Sequence, residues 1–196
     1  MSELGDVVPL RFDMSDMVRQ SVATLYSYLV TRPTGQALRL GIEAQIGDLG
    51  ALCLTVLDFS EVVVLDYSCA DETVAKLIKR FQRSDRPAEA YFLARGIDDR
   101  HRETIDAVLQ RQDLTIAAEL GEGERVLLGG GSEAEHAAWS ALERLERGTA
   151  EDVAGIAGAD VDAVRRALES LARRRVIARM DIPRRYFALS GLLAEV

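Results

Sequence analysis

Hydrophobic positions along the chain follow two periods. Residues 51–57 form a nearly continuous apolar run, Ala-Leu-Cys-Leu-Thr-Val-Leu, which closes on Asp58. That pattern predicts a strand buried on both faces of a sheet. Residues 62–65, 90–93, 114–118 and 125–128 predict further short strands, the last two around a Gly121–Gly123 turn, and residues 7–12 a first one. Between them the period becomes helical. Ser15 or Asp16 is expected to cap a helix carrying Val18, Val22, Leu25 and Leu29. Thr31-Arg32-Pro33-Thr34-Gly35 is expected to interrupt it, and a second helix follows from about residue 36 to 46 with Leu38, Ile42 and Ile46 on one face. Residues 71–83 carry the stripe Val74, Leu77, Ile78 and Phe81, and residues 100–110 the stripe Ile105, Val108 and Leu109. Strands alternating with helices predict an α/β fold with crossover connections.

The pattern changes at Gly129-Gly130-Gly131-Ser132. Consecutive glycines are entropically costly inside an element, so the segment reads as a flexible linker. The expected division is an α/β domain over 1–128, a linker over 129–133 and a second domain over 134–196. In the second, residues 135–146 form a helix with Ala138, Leu142 and Leu145 inward and Trp139 beside them, stopped by Gly148. Thr149 caps the next helix, with Asp152 at the N3 position of a capping box. Asp160 caps a third, which buries Val161, Val164, Leu168 and Leu171 up to about residue 174. A strand over 176–179, a turn over 180–185 and a partner strand over 186–189 close the chain.

Charge sharpens the division. The 196 residues are 48% hydrophobic and 29% charged, as in ordinary globular proteins. The net charge of −8 argues against indiscriminate affinity for nucleic acid or anionic membranes. Residues 1–132 hold −7 of it, however, while residues 160–190 contain 8 arginines against 4 acids. A basic C-terminal surface is concealed by the total. Cys53 and Cys69 lie in apolar surroundings without metal or redox spacing and are expected to be buried, reduced thiols. Met1 to Pro9 lacks the basic start and apolar stretch of a signal peptide, and no apolar run approaches the roughly 20 residues of a membrane span. A cytoplasmic protein that does not enter a membrane is expected.

Two resemblances emerge from these segments. Thr31-Arg32, Gly35, Leu38-Arg39 and Ile42-Glu43, followed by Leu57-Asp58-Phe59, Val62 and Ser68-Cys69-Ala70-Asp71-Glu72, resemble the STAS fold of anti-sigma-factor antagonists. They are closer still to a STAS-like family of unknown function, over roughly residues 15–118. The resemblance implies a mixed sheet with helices and a protein partner, of the kinase or anti-sigma-like ATPase class. It also makes Ser68 the counterpart of the serine those kinases phosphorylate, although Cys69 stands where a glycine usually follows. From the residues alone, two readings of Ser68 are open. It caps the helix over 71–83 and nothing more, or it carries a phosphate favoured by the helix N-terminus. The string Thr149, Asp152-Val153-Ala154, Val164, Ala167-Leu168, Leu171, Arg174 and Val176-Ile177 resembles winged helix-turn-helix domains of bacterial and archaeal regulators.

If Val164, Leu168 and Leu171 face the core, Asp162, Arg165, Arg166 and Glu169 face solvent on a helix able to enter a major groove. Arg165 and Arg166 are then candidates for base edges, Arg184 and Arg185 at the hairpin tip for backbone or minor groove, and Arg173 and Arg174, with Arg175, for flanking phosphates. His101 and His136 are expected alone on helix surfaces, without triad or metal spacing. Asp58, Glu61 and Asp66 form an acidic group at a strand end, read as caps and loop solvation or as a ligand site; Arg32 and Arg39 are expected to pair with these acids or with Glu43. No nucleotide-binding glycine motif, metal, cofactor or enzyme activity is indicated. The expected function is a bacterial regulator, STAS-like domain coupled to a DNA-binding winged helix, with a homodimer left open. The alternatives are a partner-switching adaptor without DNA, or an assembly subunit.

Overall fold

The computed structural model describes residues 14–50, 52–121 and 123–193. The strand expected over 7–12 lies outside them. A five-stranded sheet organises the first part: β1 (Arg19–Thr24), β3 (Cys53–Asp58), β5 (Ala90–Ile97) and β6 (Thr115–Leu120) run parallel, and β7 (Arg125–Gly129) pairs antiparallel with β6. A separate parallel pair joins β2 (Tyr28–Leu29) to β4 (Val64–Leu65). The fold is α/β with a mixed sheet.

Two expectations near the start are corrected. Residues 19–24 are a strand, not a helix. The spacing of Val18, Val22, Leu25 and Leu29 fits a helix, but pairing with the buried β3 competes with that local pattern and wins. Thr31–Gly35 opens a helix instead of breaking one: after the single turn α1 (Met14–Met17), α2 runs Arg32–Leu49, with Thr31 Oγ1 accepting from Thr34 N at 3.3 Å and Pro33 in the first turn, where its missing N–H costs nothing. Gly35 serves a close crossing. A Cβ there would lie 2.8 Å from Cys69 O and 2.9 Å from Glu72 Cβ.

The helix expected over 71–83 starts earlier, as α3 (Tyr67–Ala70), a π-helical stretch (Asp71–Ala75) and α4 (Lys76–Gln82). With α2 and α5 (Asp99–Arg111) it covers one face of the sheet, over Cys53, Leu57, Phe92, Ala94 and Ile116. Parallel strands in sequential order, joined by crossovers of one hand, put every crossover helix on the same face.

The other face carries Leu54, Val56, Tyr91, Leu93, Ala117 and Leu127, and the C-terminal part of the chain covers it. That part contains α6 (Glu133–Leu145), α7 (Ala150–Ala157) and α8 (Val161–Arg173). It also contains a small sheet of β8 (Arg147–Gly148, between α6 and α7), β10 (Arg184–Ala188) and β9 (Ile177–Asp181) in that spatial order. The expected caps are present: Thr149 and Asp152 form a capping box, and Asp160 accepts from Ala163 N. The turn expected over 180–185 shrinks to Ile182-Pro183, because Met180, Asp181, Arg184 and Arg185 belong to the strands.

The glycine run is not slack chain. Gly129 ends β7 at φ 98° with its N–H donated to Asp106 Oδ1 at 2.7 Å, and a Cβ there would meet Leu114 O at 2.2 Å. Gly130 N reaches Leu114 O at 2.7 Å, and Ser132 with Glu135 forms the capping box of α6. The glycines allow a sharp passage from sheet to helix, so the two parts share a core.

Candidate functional site

Helix α8 buries Val164, Ala167, Leu168 and Leu171. Its opposite face therefore presents Asp162, Arg165, Arg166, Glu169 and Arg173, spaced as one helical stripe, and these five line an open concavity. Arg166 and Arg173 are exposed and make no hydrogen bond or ion pair among the described residues. Arg165 spans two exposed acids, Asp162 Oδ1 at 2.5 Å and Glu151 Oε1 at 2.8 Å. Arg184 and Arg185 are exposed at the start of β10, next to the tip.

Glu169 is not a free solvent-facing acid. It accepts from Tyr186 Oη at 2.6 Å and from Arg179 Nη1 at 2.5 Å, and Arg184 approaches at 3.7 Å. Partial burial opposes its charge, but Tyr186 and Arg179 outweigh that and hold its carboxyl below the usual range. Burial and the same carboxylate push the Tyr186 phenol up to about 12. The contact ties α8 to the hairpin and fixes how the two present their arginines.

Arg174 does not face outward with Arg173, which corrects its reading as a phosphate contact. Its guanidinium reaches across to the sheet domain, at 2.9 Å from Asp113 O, 3.2 Å from Thr115 Oγ1 and 3.1 Å from Asp113 Oδ1, with Glu135 Oε1 at 3.4 Å. Arg175 likewise donates to Ala90 O at 2.8 Å, pairs with Glu89 at 2.9 Å and stacks 4.4 Å from the Tyr91 ring centroid. Gln82 Nε2 donates to Arg174 O at 2.9 Å. The C-terminal end of α8 is thereby clamped to the sheet.

At the second candidate, Asp66 and not Ser68 is the helix N-cap. Its Oδ1 accepts from Ser68 N at 2.7 Å and from Ser68 Oγ at 2.5 Å. These bonds from Ser68 hold the Asp66 carboxyl below its usual range. Replacing Asp66 by Ala is therefore expected to cost about 1 kcal/mol, as for other caps. Ser68→Ala is expected to stay within about 0.5 kcal/mol, as surface substitutions do. Urea unfolding of the two variants checks the order, and an equal or larger loss at Ser68 contradicts it. Nearby, Arg32 pairs with Asp71 at 2.9 Å and Glu72 at 2.8 Å, Lys76 also grips Glu72, and Arg39 pairs with Glu43 at 2.7 Å. Arg32 thus forms its ion pairs with Asp71 and Glu72 and not with Asp58, Glu61 or Asp66, although its charge helps to lower the Asp66 carboxyl. Burial disfavours the Glu72 charge, yet Lys76 and Arg32 keep the carboxyl below its usual range. Beside these charges, the β2–β4 pair and the chain that leads into α3 expose Tyr26, Tyr28, Val30, Val63, Val64 and Tyr67.

Asp58 accepts from Ser60 N at 3.0 Å and from Arg95 at 2.8 Å, bracing two strand ends. Among the described residues the strand order contains no reversal, so no topological switch point opens beside it there. His101 is buried, correcting its surface assignment; it sits one turn before Ile105 on the inner face of α5, with Nδ1 3.1 Å from Asp98 Oδ1. His136 is half-buried beside Gly131. Cys53 and Cys69 are buried free thiols, and burial pushes both thiols up. Among the described residues, no cluster of His, Cys, Asp or Glu could hold a metal, and no helix is long and apolar enough to cross a membrane. No model of a known protein family matches the chain, and no curated protein matches it.

Proposed function

We propose that the protein is a cytoplasmic, non-enzymatic regulator whose C-terminal part works as a DNA-binding winged helix. In this reading α8 enters the major groove, the β9–β10 hairpin is the wing, and the STAS-like α/β domain receives a signal. The division of the arginines carries the reading. Arg174, Arg175 and Arg179 are consumed by internal partners. Arg166, Arg173 and Arg185 make no hydrogen bond or ion pair among the described residues, and Arg165 and Arg184 hold pairs that are exposed or long. Exposed pairs contribute little and yield readily to a phosphate or base edge.

Full-length protein is expected to shift duplex DNA at low salt, with affinity falling steeply as salt rises. Arg184→Ala with Arg185→Ala should flatten the salt dependence by about one unit of slope for each phosphate no longer neutralised. Arg165→Ala or Arg166→Ala should relax preference at one base position, costing about 1–3 kcal/mol there. A chain that binds no DNA at low salt, and fails to hold a protein partner once the same arginines are replaced, is an adaptor instead. The exposed tyrosine and valine surface beside Ser68 favours that second reading, a partner-switching role in which a kinase-type ATPase meets the α/β domain. Ser68→Asp should then alter partner binding.

A further inference from the structure

Ile182 is 90% exposed, more than any other large hydrophobic residue described. It stands with Pro183 at the tip of the hairpin, between the last residue of β9 and the first of β10. Hairpin tips ordinarily carry Asn, Asp or Gly, which meet the backbone demands of the turn and keep the tip hydrated. Nothing in the turn calls for isoleucine, and at this exposure its side chain adds almost nothing to the core.

Its neighbours give it a setting. Successive strand residues point to opposite sides, so Arg184 and Arg185 put a cation on either flank of the tip. The nearest acid, Asp181, is held by Arg179 Nε at 3.0 Å. Arg184 also lies 3.7 Å from Glu169 on the outward stripe of α8, so the tip and that stripe belong to one surface. An apolar point between arginines has the chemistry of proteins that wedge Ile, Leu, Phe, Met or Pro into the minor groove and unstack a base step while cations hold the phosphates.

We propose that Ile182 and Pro183 form such a wedge, entering the minor groove at a pyrimidine–purine step and kinking the duplex there. The proposal rests on the DNA-binding reading and goes beyond it by naming a deformed, flexible step as part of what is recognised. TA and CA steps unstack most easily, while A-tracts resist. The wing would thus prefer one class of sequence without a hydrogen bond to any base.

Two mixed-sequence duplexes of about 30 base pairs, each carrying 2-aminopurine either at a central TA step or within an A-tract, test this with full-length protein at low salt. The wild type is expected to raise the fluorescence at the TA step and to bind that duplex more tightly. Ile182→Ser, at an exposed position that leaves the fold intact, should abolish the rise and weaken binding to the TA duplex roughly tenfold. Ile182→Phe should restore both. Arg166→Ala should weaken binding yet keep the rise at saturation, because it acts in the other groove. Unchanged affinity and fluorescence in Ile182→Ser overturns the wedge and leaves DNA binding standing. A change in self-association alone, measured by light scattering, overturns it in favour of a protein contact. A wild type that binds neither duplex overturns both readings.

Discussion

A chain ending at Leu128 is expected to lose its cooperative fold, although it keeps all the described strands of the main sheet but the last residue of β7. Removing residues 129–196 uncovers Leu54, Val56, Tyr91, Leu93, Ala117 and Leu127 together. An apolar sheet face of that extent facing water is an aggregation surface, not a domain boundary. The fragment should bind a hydrophobic dye and elute as aggregate, and the full-length chain should unfold in a single urea transition. Trp139 reports on the same interface, since it lies buried among Leu93, Ala117 and Ser190 where α6 covers the sheet. Trp139→Ala is expected to cost about 3–5 kcal/mol, the usual loss for a large buried aromatic residue, against a total stability of about 5–15 kcal/mol. A fragment 1–128 that is monomeric and unfolds cooperatively would show instead that the sheet tolerates exposure of that face, and that the glycine run separates two domains.

The same interface shows what the sequence disclosed and what it did not. The unbroken run before Asp58 already requires cover on both faces of β3, and Cys53, Thr55 and Leu57 indeed alternate with Leu54 and Val56 between two cores. Sequential parallel strands put their crossover helices on one face only. Among the described residues, the second cover comes mainly from the C-terminal part, with Met14 and Val18 beside it. Reading Gly129 to Gly131 as slack concealed that step, because glycine runs serve both flexible linkers and tight passages, and only the neighbours at Leu114 and Asp106 distinguish them. Local signals did better where they were short and chemical. The capping pairs at Thr149 and Asp160 were legible because cap and first turn lie within a few residues. Thr31 with Pro33 was an equally local signature of a helix start, obscured by treating proline only as a breaker. Strand β1 was not legible, since its pairing with β3 spans the whole of α2. For His101, the stripe that continues through Ile105 and Val108 pointed inward, and extending it by one turn would have found the residue.

The same extension separates Arg173 from Arg174, and the two should behave oppositely. The buried stripe of α8, Val164, Ala167, Leu168 and Leu171, reaches the cap residue Arg174 one step past the helix end, while 173 falls on the outer face. Arg174→Ala removes the cation next to the buried Glu135 and the donors to Asp113 O and Thr115 Oγ1. Leaving a buried carboxylate without its partner costs about 3–5 kcal/mol. Glu135 keeps the N–H donated by Ser132 at 2.7 Å and its hydrogen bond with the Ser170 side chain, so no more than the lower end, about 3 kcal/mol, is expected. For a chain of this size that lowers Tm by about 6–12 °C. Arg173→Ala should leave Tm unchanged within error, because the side chain has no partner among the described residues, and should instead flatten the salt dependence of DNA binding by about one unit of slope. Thermal unfolding and salt titration of the two variants, run side by side, give the comparison. If Arg174→Ala leaves Tm in place, the Arg174 part of the clamp between α8 and the sheet contributes nothing to stability, and Arg175 carries what the clamp supplies. If Arg173→Ala leaves the salt slope in place while Arg174→Ala lowers Tm, the clamp stands and the outer face of α8 does not meet phosphate.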